Sequence, residues 1–262
     1  MTLAKDGALT LGGMRRSIQI CFLALFLTIP GILQAVPVDS LLAAGDSAFA
    51  AYDYSGSATL YRQGSRADSQ SFDAFWKLGR SLNFLGELVP KDSQMVVFEE
   101  AAAAEKAAIR LNDNSADAHF QLARALGKIA LFKGVFKSIG LAKQVKAEAE
   151  KALALDSLHD GAWHIMGRWN REVGKKPKIF RAPMGLGSAN KHDAIAFMQK
   201  AEALNPGLID HHLEMGITYE EYGMKDKARE EYNECLTLPG RGPLDKKYKA
   251  EAEKYLAGMD KK

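Results

Sequence analysis

Cysteine is almost missing: Cys21 and Cys235 are the only two in 262 residues. Two thiols exclude a disulfide scaffold and a cysteine zinc site, which takes about four ligands. Proline is scarce, with eight residues, and at 47% apolar and 26% charged the chain has neither the low hydrophobicity nor the high net charge of a disordered segment. No charge sign dominates. The 35 Lys and Arg against 32 Asp and Glu give +3, too even for nucleic-acid binding through a broad basic field. Long apolar runs are absent beyond residue 35, which excludes a multipass membrane protein.

The one apolar run is N-terminal. Arg15 and Arg16 precede Ile18 to Ile29, Pro30 and Gly31 break the run, and Leu33-Gln34-Ala35 ends on a small residue. This pattern predicts a signal peptide over residues 1–35, an exported chain from 36 to 262 and, as compartment, the bacterial periplasm. An uncleaved N-terminal membrane anchor is the alternative. Ile20 stands before Cys21 where a lipoprotein site wants a small residue. Cys235, between Glu234 and Leu236 in a helical pattern, is expected to be a buried packing residue.

From Val36 onward the pattern is helical. Phe98 to Leu111, Ala116 to Phe132, Lys143 to Leu155 and His192 to Leu204 place apolar residues three and four apart, and no run alternates as a strand does. Asn112-Asp113-Asn114, Asp156-Ser157 and Asn205-Pro206-Gly207 supply turns and caps between them.

Superposed, the helices repeat. Phe75-Trp76-Lys77-Leu78-Gly79, His119-Phe120-Gln121-Leu122-Ala123, Trp163-His164-Ile165-Met166-Gly167 and His212-Leu213-Glu214-Met215-Gly216 share a ring, an aliphatic three on, then a small residue, at spacings of 44, 44 and 49. A second signature precedes three of them: Ala108 to Leu111, Ala152 to Leu155 and Ala201 to Pro206. These are the two helices of a hairpin, the small residue of the first admitting the second. In the last copy Tyr219, Ala228 and Tyr232 follow Gly216 by 3, 12 and 16 residues; a first copy is marked by Gly45, Ser57, Tyr61 and Gly64.

This spacing resembles the tetratricopeptide repeat. Gly79 to Ala101 and Ala123 to Val145 span 22 residues and Gly167 to Ala194 spans 27, against about 12 in the family pattern. Such long repeats, with the Trp163 to Trp169 segment, the basic insertion and the Ala201 to Gly207 turn, are similar to the regulator of microtubule dynamics proteins over Phe72 to Leu256. The resemblance implies an all-α, right-handed α-solenoid of antiparallel hairpins, about five repeats with long inter-helix insertions, closed by a solvating C-terminal capping helix over Lys246 to Leu256. The microtubule role is not carried over, because an exported chain does not meet tubulin; an anchored chain in a eukaryotic cell would remove that objection.

Catalytic patterns are missing. None of the six histidines stands in His-Glu-x-x-His, and Gly185 to Lys191 lacks the end of a phosphate loop and follows no strand. The expectation is a non-enzyme without metal or cofactor, with an unrecognised helical active site as a distant alternative. In a hairpin repeat the first helix lines the concave face, and residues one, five and eight after the ring share a stripe. Those positions are Trp76, Arg80 and Asn83; Phe120 and Arg124; and His164, Arg168 and Arg171. Arg80, Arg124 and Arg168 recur at the repeat length, which predicts a column of guanidiniums beside rings, suited to an acidic peptide segment or a small anion. Pairing with Asp46, Asp73 or Asp117 would close it instead.

The second candidate surface is the insertion at 173–192. Lys175, Lys176, Lys178, Arg181 and Lys191 are its only charges between Glu172 and Asp193, interleaved with Ile179, Phe180, Met184 and Leu186. It either folds back over the core or meets a membrane surface or acidic partner. Together these readings predict an exported interaction scaffold, with a membrane-peripheral adaptor as the alternative.

Overall fold

A computed structural model of the chain describes residues 36–134 and 138–260. The segment read as a signal, 1–35, lies outside the described residues. Among the latter are twelve helices and no strand: α1 (Val38–Ala50), α2 (Tyr54–Ala67), α3 (Phe72–Leu88), α4 (Lys91–Leu111), α5 (Ala116–Lys133), α6 (Ile139–Leu155), α7 (Asp160–Gly174), α8 (Lys178–Arg181), α9 (Lys191–Leu204), α10 (Ile209–Glu221), α11 (Lys225–Thr237) and α12 (Pro243–Met259).

Their ends follow from local chemistry. The side chains of Asp53, Ser71, Ser115, His159 and Asn190 each accept a backbone N–H of the first turn they precede, satisfying donors that the helix itself leaves unpaired. Asn112, Asp156 and Asn205 stop α4, α6 and α9 where the sequence places turns.

Consecutive helices pair into five hairpins, α1/α2, α3/α4, α5/α6, α7/α9 and α10/α11, with α8 inside the fourth. The extra length of the middle repeats takes two forms. In the second and third hairpins the helices lengthen to 17–21 residues against 13 in α10 and α11. The fourth instead projects the segment carrying α8.

Signature glycines sit where the helices of a hairpin touch. A Cβ on Gly45 would lie 2.5 Å from the ring of Tyr61, and one on Gly167 would lie 2.7 Å from Met198 Cγ. Gly216 seats Tyr232 in the same way, and Gly79 seats Glu105. Tyr61, Tyr232 and Met198 are all but completely buried, and such a contact contributes about 1.5–3 kcal/mol of apolar burial for a side chain like Met198. Cys235 is buried as expected.

The expected C-terminal helix is present and does more than close the array. Rather than only solvating the end, α12 packs on α10 and α11 and reaches α3, so it lies along the inner side formed by the first helices of the hairpins. Its buried stripe Leu244, Tyr248 and Ala252 joins Tyr54, Phe49 and Phe84 from the first two hairpins to Leu213 and Met215 from the last. Lys247 Nζ fixes it by donating to the carbonyl and to Oε2 of Glu87, each at 3.0 Å.

Candidate functional site

Beside the part of the inner face that α12 covers, a cavity of about 700 Å³ opens between α5, α6, α7 and the insertion. Its walls are apolar: Leu131, Ile139, Val145, Ile165, Trp169, Val173 and, from the insertion, Phe180, Met184 and Leu186. Trp169 presents only carbon to it, because Nε1 donates to the Ala142 carbonyl at 2.7 Å. Arg124, Lys128 and Arg168 also line it. On α5 the lining runs from Arg124 and Lys128 to Leu131, roughly 10 Å at 1.5 Å per residue, so these two cations stand at one end of that wall; Glu172, Lys176 and Arg181 line the cavity as well.

Too few carboxylates serve those cations. Glu87 is shared by Lys128, by Lys247 at 3.0 Å and by Arg124 at 4.0 Å. Burial pushes Glu87 up, but Lys128, Arg124 and Lys247 outweigh it and hold the carboxyl down at about 2. Glu214 meets Arg168 at 3.1 Å and Arg171 at 2.6 Å; burial opposes its charge, and the two guanidiniums still hold it below the usual carboxylate range. Asp210 nearby is raised by burial first and by Glu214 second. Lys247 and Arg171 have further partners in Glu251 and in Glu172 and Glu221; Arg124, Lys128 and Arg168, the three of these cations that line the cavity, share Glu87 and Glu214 with them, a field that favours a further anion.

The residues read from sequence divide. Arg124 and Arg168 come together at the cavity. Arg80 does not reach it: its guanidinium lies 3.9 Å over the Phe49 ring and 4.7 Å over Trp76, and its Nε has no partner. The aromatic neighbour comes from the preceding hairpin, since Arg124 lies 4.7 Å over Phe84 just as Arg80 lies over Phe49. In the next repeat the corresponding place is Lys128, and Arg168 turns to Glu214. Asn83 is buried, donating to the carbonyl and Oε1 of Gln121. Phe120 packs on His159 at 4.7 Å. Arg171 is buried and consumed by Glu214, Thr218 and Glu172. His164 is buried with Nδ1 2.9 Å from Nδ1 of His211, and burial with His211 beside it pushes its pKa well down.

The acids expected to neutralise the arginines are engaged elsewhere: Asp46 with Lys77 and Tyr61, Asp73 with the indole of Trp76, Asp117 with His159. Lys128 and Glu87 were within reach of sequence reasoning, four residues after Arg124 and seven after Arg80 on the same stripes. Tyr248, Lys247 and Glu214 meet the site only through tertiary packing.

Among the described residues two His-carboxylate groups have metal-ligand spacing, His164/Asp210/Glu214 and Glu202/His212/Glu231. The first has Arg168 and Arg171 on its carboxylate. In the second, His212 bonds Glu231 at 2.9 Å and the Pro206 carbonyl at 2.8 Å, and His119 makes the equivalent pair with Glu148 and the Asp113 carbonyl. That recurrence marks a repeat-packing device. Burial opposes its charge, but the bonds to Glu231 and Pro206 raise His212 to about 9, so it is a cation itself.

The insertion folds back in part. Leu186 and Ala189 fold back into the core, whereas Ile179 and Phe180 stay exposed. Arg181 is an internal strut, donating to the carbonyls of Lys176 and Leu186, and Lys175 pairs with Glu172 and Glu221. Lys176, Lys178 and Phe180 remain on the surface.

Comparison with known proteins agrees with this architecture. The structure superposes on that of TTC0263, a thermophilic TPR protein of Thermus thermophilus, with a TM-score of 0.61 at 16% identity, covering 82% of this chain and 98% of that one. On the pilF protein of Pseudomonas aeruginosa the TM-score is 0.50 at 13% identity, over 85% and 86% of the chains. The fold is thus an all-α, TPR-like array. Regulator of microtubule dynamics protein 1 of Bos taurus is 24% identical over 206 residues, and protein 3 of Rattus norvegicus 27% over 191, covering 74% and 69% of this chain. The chain spans 64% and 40% of those relatives' lengths. A model of the family described as regulator of microtubule dynamics protein 1-3 matches residues 41–260, and the chain therefore belongs to that family.

Proposed function

We propose that this protein is a non-catalytic binding scaffold whose inner cavity takes a small amphipathic anion, an apolar chain ending in a carboxylate or phosphate. One observation carries the reading: an apolar cavity of about 700 Å³, within the usual range for ligand sites, lined also by Arg124, Lys128 and Arg168, whose charge Glu87 and Glu214 do not balance. With α12 already seated on the inner face, a small ligand fits this opening better than a peptide segment does. The opposition of oily wall and cationic edge positions such a molecule by its two ends; a guanidinium binds the head group bidentately while the tail leaves water. No pair of groups with opposed proton affinities faces the cavity in the way acid–base chemistry needs, which supports binding without turnover. The Arg15 to Ala35 pattern supports an exported setting. Native mass spectrometry of the full chain mixed with oleate tests the assignment. A one-to-one adduct is expected, reduced when Ile165→Trp fills the cavity; equal adduct on both proteins would overturn it.

A further inference from the structure

Lys178 and Ile179 at the exposed tip of the insertion do not line the cavity, and we infer that the tip is a docking surface for an anionic lipid bilayer. Large apolar side chains cluster around one mouth of the molecule. Ile179 is 76% exposed, Phe180 66% and Leu131 55%, with Phe132 and Met184 also exposed; Leu131, Phe180 and Met184 share the cavity lining. The same short segment buries Leu186 and Ala189, so the outward rings and branches are held out by the fold. Three things hold them: the Arg181 strut to the Lys176 and Leu186 carbonyls, the bond from Asn190 N–H to Asn170 Oδ1 at 3.1 Å, and Gly185 at φ 72° closing the turn.

Charge identifies the occupant. No acid lies between Glu172 and Asp193. Lys176 and Lys178 are exposed, and neither has a carboxylate within ion-pair distance among the described residues. Apolar tips flanked by unpaired ammonium groups match an interface in which hydrocarbon lies just below anionic head groups: the tips enter the acyl boundary while the lysines stay at the phosphates. No described helix is long and apolar enough to cross a membrane, so this contact is peripheral. It goes beyond the cavity reading and deepens it, because an apolar ligand would then pass between bilayer and cavity without crossing water.

The test uses residues that do not line the cavity, Ile179 and Lys178, and so separates the two readings. Flotation of the full chain with vesicles of phosphatidylcholine alone, or with about one third phosphatidylglycerol, reads partitioning. Every variant keeps the same N-terminal segment, so differences report the insertion. Ile179→Ser and Lys178→Glu should each reduce binding to the anionic vesicles by on the order of tenfold. Leu158→Ser, at an equally exposed apolar residue elsewhere, should change nothing, and oleate binding should be intact in all three. As a direct readout, an environment-sensitive dye on Ile179→Cys, with Cys21→Ser, should shift to shorter wavelength on anionic vesicles only. Wild-type partitioning by Ile179→Ser and Lys178→Glu, or an unshifted dye on protein that floats, would overturn the inference.

Discussion

Glu105 occupies, in the second hairpin, the seat that Tyr61, Met198 and Tyr232 fill in others, pressed against the signature glycine of the facing helix. It is completely buried and neither carboxyl oxygen has a hydrogen-bond partner. Burial, with Asp117 adding to it and Arg80 only partly offsetting, pushes its pKa well above the ordinary 4.5. The sign of the linkage follows. An acid raised in the folded state loses its proton first in the unfolded chain, so folding stability falls as pH rises above 4.5, by about 1.4 kcal/mol per pH unit until the folded carboxyl ionises. Glu105→Gln keeps the shape and the unpaired polar burial but cannot ionise. Urea unfolding of the two proteins at pH 4, 5.5 and 7 should show equal stability at pH 4 and a growing advantage of the variant thereafter. Glu105→Met, which copies the seat of Met198, should be more stable still, because the unpaired polar atoms also disappear. A Glu105→Gln protein less stable than wild type by the same amount at every pH would refute the reasoning.

Gly167→Leu should cost more than about 2 kcal/mol and lower the thermal midpoint by several degrees, since even its Cβ would meet Met198 Cγ at 2.7 Å and the Met198 backbone nitrogen at 3.1 Å. His212, raised to about 9, contributes stability that is full below pH 6.5 and lost as pH climbs through 9; His212→Ala should remove that slope, at most about 3 kcal/mol, from pH-dependent unfolding curves. Mature protein isolated from the native host should begin near Val36 by intact mass, and an unprocessed chain would sink the signal-peptide reading.

Elements governed by near neighbours were legible in the sequence. Stops such as Asn112, Asp156 and Asn205, and the glycine–tyrosine spacing of 16 residues that links Gly45 to Tyr61 and Gly216 to Tyr232, are all written within one hairpin. The inner face was not, because its contents arrive from far along the chain. Lys247 meets Glu87 across 160 residues, and a stripe counted on a single helix carries no sign of it. The arginine column failed for a related reason: Arg80 meets Phe49 of the preceding hairpin, whereas Arg168 faces Lys128 at the corresponding place and turns to Glu214. In the insertion, charge count alone did not distinguish Arg181, whose donors face inward to carbonyls, from Lys178, whose ammonium faces out.

The most direct test of the cavity is the affinity of the full chain for oleate, measured by titration calorimetry on wild type and Arg124→Ala. Arg124 is the informative cation because its contact with Glu87 is the loosest of the set, 4.0 Å, and Lys128 and Lys247 remain to compensate that acid. Loss of one charge-assisted contact to the head group is worth about 1.5–3 kcal/mol, so the variant should bind roughly 10 to 150 times more weakly with an unchanged thermal midpoint. Equal affinity in the two proteins would contradict the account.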